Sequence, residues 1–232
     1  MFLKLRSALL VFVALLGINT TAQTYCTTGL YTTGCSDGDQ ILALSIGSWT
    51  SPSSAPCSTG GYGNYTSDTL SLYQGSVSLA TVTHGPTYSQ GDAIWIDFND
   101  DGDFADAGEH IWSSTGYSLL NSDYITIPVG AALGNHRLRV RCIYNSVVSA
   151  SQSCSSTTYG EVEDYTVTIT TPPPCPPPIY LTVNSITANS VTIGYTSTGA
   201  AFDIEYGPAG FTLGTGSTSR SSDHCRRRFA SD

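Results

Sequence analysis

Short runs of alternating apolar and polar side chains recur along the chain, and helical periodicity is absent. A period of two sends successive side chains to opposite faces of a strand, so the pattern predicts half-buried β-sheet. Gly, Ser, Thr and Tyr dominate, and turn-rich segments separate the runs, as in an all-β sandwich. Eight strands are expected in the main domain, over residues 40–46, 69–73, 77–83, 93–98, 110–113, 124–128, 136–144 and 162–170. In the fourth, Ile94, Ile96 and Phe98 share one face while Trp95 and Asp97 point the other way. The expected fold is a jelly-roll-like β-sandwich. A domain of about 150 residues buries roughly two-thirds of its unfolded surface, enough for one two-layer core.

The pattern changes at both ends of this domain. Residues 1–22 carry Lys4 and Arg6, then an apolar run, then small residues before Gln23. That is the layout of a secretory signal peptide, and the mature chain is expected to start at Gln23. The run is short for a bilayer span, so no integral membrane segment is expected. At the other end, TTPPPCPPP closes the sheet, because prolines cannot donate to a ladder and favour extended polyproline II. Residues 172–178 therefore read as a semi-rigid linker, with 23–171 before it as the main domain. Beyond it, residues 179–219 begin a second β module, and residues 220–232 form an atypical tail holding Arg220, Arg226, Arg227 and Arg228.

Charge narrows the partners. From Gln23 to Ser219 there is no lysine, and Arg137, Arg139 and Arg141 face sixteen Asp and Glu residues. Such a balance disfavours nucleic acid and anionic membranes, and suits an exported protein that binds divalent cations. Seven cysteines in an exported chain point to disulfides, with at least one thiol left over. The expected pairs are Cys142 with Cys154 and Cys35 with Cys57, with Cys26 able to compete for either.

The segment WIDFNDDGDFADAGE, residues 95–109, runs a short apolar strand into packed carboxylate and amide side chains around Gly102. Asp97, Asn99 and Asp101 occupy positions 1, 3 and 5 of a loop whose position 6 is that glycine, and Asp103 at position 7 can offer its main-chain carbonyl. Regular hard oxygen donors are how Ca²⁺ is caged. The pattern is not a complete EF-hand: position 12 is Gly108, Glu109 follows one residue late, and a strand replaces the helix. The expected metal ligands are Asp97, Asn99, Asp101, Asp103 and Glu109. The alternative is an acidic, solvated hairpin loop.

YGEVEDYTVTI at residues 159–169, together with WIDFNDDGDF, RLRVRCIY and the opening TYCTTG, resembles the GEVED domain of secreted bacterial proteins of the Bacteroidetes type. The likeness spans residues 24–170. It implies a β-sandwich accessory module of large exported or surface-attached proteins, often beside peptidase, fibronectin-like or other adhesive domains. CPPPIYLTVNSITANSVTIGY with FDIEYGP looks like the first half of a fibronectin type III domain. There Tyr195 stands where the family's tryptophan is usual, and the later strands and a C-terminal sorting domain are missing, so a truncated or frameshifted product is expected.

Within GEVEDY, Glu161, Glu163 and Tyr165 share the parity of Val167 and Ile169, so two carboxylates lie on the core-facing side and need partners. The Arg137, Arg139 and Arg141 ladder is the expected partner, since arginine forks match carboxylates, and the alternative is the cation held near Asp97. A glycosidase pair is disfavoured because both groups project from one strand face. His84, His110 and His136 are isolated and expected in loops or at the surface, and no HExxH or GxSxG is present. The loop GGYGNYTS lacks the lysine and helix of a phosphate cradle. Tyr62, Tyr65, Trp49 and Trp112 could stack on sugars if exposed, or else fill the core. The expected function is a non-catalytic, calcium-stabilised accessory or adhesion module of a secreted or cell-surface protein, binding an extracellular glycan or protein ligand. The alternatives are a fragment of a secreted hydrolase, such as a peptidase, and a carbohydrate-binding module.

Overall fold

The computed structural model describes residues 24–51, 56–174, 179–187, 191–196, 203–206, 212 and 217–220. The expected signal peptide, residues 175–178 of the linker and the tail after Arg220 lie outside the described residues. The fold is all-β. Five strands form a mixed sheet in the order β4 (Tyr62–Tyr73), β11 (Val162–Thr170), β9 (Gly134–Tyr144), β6 (Gln90–Asp97), β7 (His110–Ser113). Four form a second sheet in the order β3 (Trp49–Thr50), β2 (Ile41–Ile46), β5 (Val77–His84), β8 (Leu120–Thr126).

Alternation explains how the sheets face one another. Leu44 and Ile46 of β2, Val82 of β5 and Ile125 of β8 meet Leu70, Ile94, Ile96, Leu138, Val140, Val167 and Ile169 of the larger sheet in one core. All eight expected strands are present, and six of them have limits that differ from the expected ones, β2 and β5 by a single residue. β4 begins at Tyr62, seven residues before the expected start, so the GGYGNYTS segment is mostly strand. The pairing of β4 with β11 skips from Tyr65 to Thr69, where the Asn64 side chain binds the amide and hydroxyl of Thr66. That polar bulge hid the first half of the strand from its alternation. β8 starts at Leu120 and stops before Pro128 because it is an edge strand whose register is set by β5, with Ile125 its one buried residue. β9 starts two residues early, at Gly134.

Three short strands carried no readable pattern: β1 (Tyr31–Gly34), β3 and β10 (Thr157–Tyr159). β1 and β10 pair in parallel. They belong to irregular chain that covers the outer face of the larger sheet, where Ala93, Trp95, Phe104, Ile143 and Val148 form a second core. As a result, β6 is buried on both faces throughout its length.

The disulfides correct one expectation. Cys26 pairs with Cys154, and Cys35 with Cys57, while Cys142 is a buried free thiol. The expected pair of Cys142 with Cys154 fails on parity: Cys142 follows Leu138 and Val140 into the inter-sheet core, whereas Cys154 lies over the opposite face. After residue 174, β12 (Ile179–Ile186) pairs with β13 (Val191–Thr196) and β14 (Asp203–Tyr206) with β15 (Ser217–Arg220), both antiparallel.

Candidate functional site

The acidic loop leaves the buried end of β6 and returns in β7, closed at its neck by the Ile96 amide donating to the Glu109 carbonyl at 2.9 Å. Gly102, at φ +97°, takes a left-handed turn that a side chain would resist. Asp97 is fully buried, and its carboxylate accepts from the amides of Asp100 (2.6 Å) and Gly102 (3.0 Å) and from the Tyr25 hydroxyl (2.7 Å). Glu109, also buried, accepts from the amides of Phe98 and Asp106, each at 3.2 Å. Burial, with Asp97 and Asp106 close by, pushes the Glu109 carboxyl up to about 7. The two end carboxylates therefore shape the loop from beneath.

On the exposed rim, the Asn99 amide nitrogen donates to Asp101 at 3.0 Å and to Asp106 at 2.5 Å. Asn99 Oδ1 accepts from the Asp101 amide, and Asp101 in turn from the Asp103 amide. Asp103 turns away to hold the Ala105 amide at 2.7 Å. Of the five expected ligands, Asn99 and Asp101 thus meet at the rim, Asp97 and Glu109 underlie it, and the Asp103 carboxylate points elsewhere. Asp106 joins the rim although the spacing rule passed over it; the signal was a further carboxylate between Asp103 and Glu109. Among the described residues, no three His, Cys, Asp or Glu side chains converge at metal-binding distances. Beside the rim, Phe98, Asn99, Asp106, Pro128, Gly130 and Ala131 border an open cleft of about 540 Å³. His136, buried nearby, reaches Asp100 at 3.1 Å and the Ala132 carbonyl at 2.9 Å.

The expected pairing of the arginine ladder with Glu161 and Glu163 is overturned. In register, Asp164 stands opposite Arg139, and Glu163 opposite core-facing Val140. Arg139 Nε and Nη2 donate to the two oxygens of Asp164 at 2.7 and 2.8 Å, with both side chains fully buried. Arg137 adds a third contact to Asp164 at 3.2 Å. Arg141 is spent on carbonyls, among them Gln152, Ser155 and Leu30. On the core side, Glu161 accepts from the amides of Ser58 (2.7 Å) and Ile41 (2.9 Å), and Glu163 from the Tyr165 hydroxyl (2.7 Å). Burial, with Glu161 nearby, lifts the Glu163 carboxyl to about 8.

The histidines also depart from expectation. His84 is buried against Asp92 at 3.0 Å, His136 is buried as described, and His110 is half-buried beside the Trp95 ring. The four aromatics proposed for sugar stacking serve packing: Trp112 is buried, Trp49 and Tyr65 contact the Tyr165 ring, and Tyr62 donates to Asp164. More open is a different group, in which Tyr144 meets Tyr88 and Tyr159 edge-on.

Residues 93–168 match the GEVED domain family. The match runs from β6 through the acidic loop to β11, and so contains the Arg139 and Asp164 pair. No curated protein matches the chain.

Proposed function

We propose that the chain carries a non-catalytic, calcium-stabilised accessory module of a secreted or cell-surface protein, serving adhesion. The observation that carries the reading is the acidic loop. Asp97, Asn99, Asp101, Asp106 and Glu109 gather oxygen donors within a single turn of chain that holds no lysine or arginine. That donor set fits a hard cation, and the Asn99 amide already places partial positive charge between two carboxylates. These residues would hold Ca²⁺, with Asp103 contributing through its main chain. The ion would supply fixed positive charge to a loop whose carboxylates otherwise repel one another.

The non-catalytic part is supported by how the other buried carboxylates are used. Glu161 caps backbone amides and Asp164 neutralises two arginines, so both are held in the ground state of the fold. The GEVED match and the two disulfides support export to an oxidising compartment. An ion that binds the native state alone raises the melting temperature, so millimolar calcium should stabilise the protein and chelator should reverse the gain. Asp101→Ala should abolish the difference. Identical melts with calcium and with chelator, and no metal in native mass spectrometry, would sink the site.

A second reading, carbohydrate binding, is favoured by the cleft beside the loop, whose small apolar wall and Asn99 and Asp106 rim suit a ring with vicinal hydroxyls. A glycan array read with calcium and with chelator tests it.

A further inference from the structure

The Arg139 guanidinium ends on a disulfide. Its Nη1 lies 2.8 Å from Cys26 Sγ and 3.7 Å from Cys154 Sγ, and its Nη2 donates to the Cys26 carbonyl at 2.8 Å. The arginine side chain is fully buried, so water screens this contact little. Along this face Arg137 and Arg139 both contact the Asp164 carboxylate, and Asp97 stands opposite Arg137 in register. Arg141 contacts carbonyl and hydroxyl oxygens.

The two sulfurs differ in access. Cys154 is exposed, whereas Cys26 is half-buried under the guanidinium. An attacking thiolate therefore reaches Cys154 from solvent, and the sulfur it displaces is the one beside the positive charge. The leaving thiol governs the rate of such exchange, and a nearby cation makes it a better leaving group. A backbone carbonyl lies beside the sulfurs of both bridges, Ser153 O at 3.8 Å from Cys26 Sγ in this one, but the contacts of Cys35 and Cys57 among the described residues include no guanidinium to offset it. In the Cys35–Cys57 bridge, Cys35 is buried, and both sulfurs lie 3.6 Å from the Ser58 carbonyl oxygen, which disfavours a thiolate.

We propose that Cys26–Cys154 is a thiol–disulfide exchange site for a dithiol reductant, with Arg139 as the positioning residue that holds Cys26 as the departing thiolate. A thiolate of the reductant forms a bond to Cys154 Sγ as the Cys26–Cys154 bond breaks, and Cys26 keeps the electron pair. The second thiol of the reductant, deprotonated, then displaces Cys154, which takes up a proton. Two electrons pass to the protein, the reductant closes its own disulfide, and the other proton goes to solvent. Opening the bridge removes the covalent tie between the N-terminal strap around Tyr25 and Cys26 and the segment at Cys154, while the contacts of Cys26 with Arg139 and of Tyr25 with Asp97, Arg137 and Phe104 remain.

The test is differential reduction of the full-length protein in graded mixtures of reduced and oxidised dithiothreitol, followed by acid quenching, alkylation and peptide mapping. Cys26 and Cys154 should become alkylated at a reduced-to-oxidised ratio about tenfold or more below that needed for Cys35 and Cys57. In Cys154→Ser, the Cys26 thiol should alkylate with a half-point at least about one pH unit below the ordinary cysteine value of about 8.5. Arg139→Lys, which keeps a charge for Asp164, should move that half-point upward. Prior opening of Cys35–Cys57, or a Cys26 half-point at or above the ordinary value, would overturn the proposal.

Discussion

Glu163 and Asp164 are adjacent in sequence and have opposite fates, because a strand sends them to opposite faces. Asp164 meets Arg139 in a doubly hydrogen-bonded, fully buried pair, so removing its charge leaves a guanidinium buried without its counter-ion. Asp164→Asn should lower the unfolding free energy in urea by about 3–5 kcal/mol. Glu163 should behave in the reverse sense. Its carboxyl rises to about 8 on folding from an ordinary 4.5, so folding takes up a proton between those values. The stability it contributes is complete below pH 4.5 and lost as pH rises through 8. Glu163→Gln keeps an oxygen for the Tyr165 hydroxyl and has no proton to lose. Relative to the wild type it should gain up to about 4 kcal/mol between about pH 5 and about pH 8.5. Melting curves of the two proteins that stay parallel across this range would contradict the buried, proton-binding carboxyl. The sequence marked these charged positions and their alternation; it did not mark which face the arginines occupied, since Arg137, Arg139 and Arg141 sit on a covered outer face.

At the scale of elements, alternation found the strands that bury one face in the inter-sheet core, misplaced the limits of the edge strand β8, and missed short strands defined by pairing alone. β8 is mostly exposed, and β1 and β10 owe their existence to each other. The link from β10 to β11 is a sharper constraint. Gly160, the glycine of the GEVED motif, sits at φ +134°, and a Cβ there would collide with the Cys142 carbonyl and the Tyr31 ring. Tyr31 cannot readily yield, because its hydroxyl donates to the carbonyls of Cys142 and Glu161 at 2.6 and 3.0 Å. Gly160→Ala should therefore cost about 2 kcal/mol or more through strain and forced displacement. A denaturation midpoint within error of the wild type would show that this corner relaxes freely.

Across the whole molecule, the N-terminal strap, the outer face of the larger sheet and the acidic loop act as one unit. Tyr25 stacks under Arg137, with the guanidinium carbon 4.3 Å from its ring centre, packs on Phe104, and donates to Asp97 from 72 residues away in sequence. Tyr25→Phe keeps the ring and removes the hydrogen bond to the carboxylate, and should cost about 1–2 kcal/mol in urea denaturation. No loss would mean that Asp97 is held by its backbone donors alone. The sequence by itself determined the all-β class, the eight principal strands and the acidic loop, because each is written in local terms: a period of two, turn residues, and carboxylates at regular intervals around a glycine. The tertiary structure alone decided that Cys26 rather than Cys142 reaches Cys154, that Asp164 rather than Glu163 answers the arginines, and that Asp106 joins the loop's rim. Those outcomes depend on which strand lies beside which and on what covers the outer sheet face, and contacts between residues distant in the chain leave no periodic trace in it.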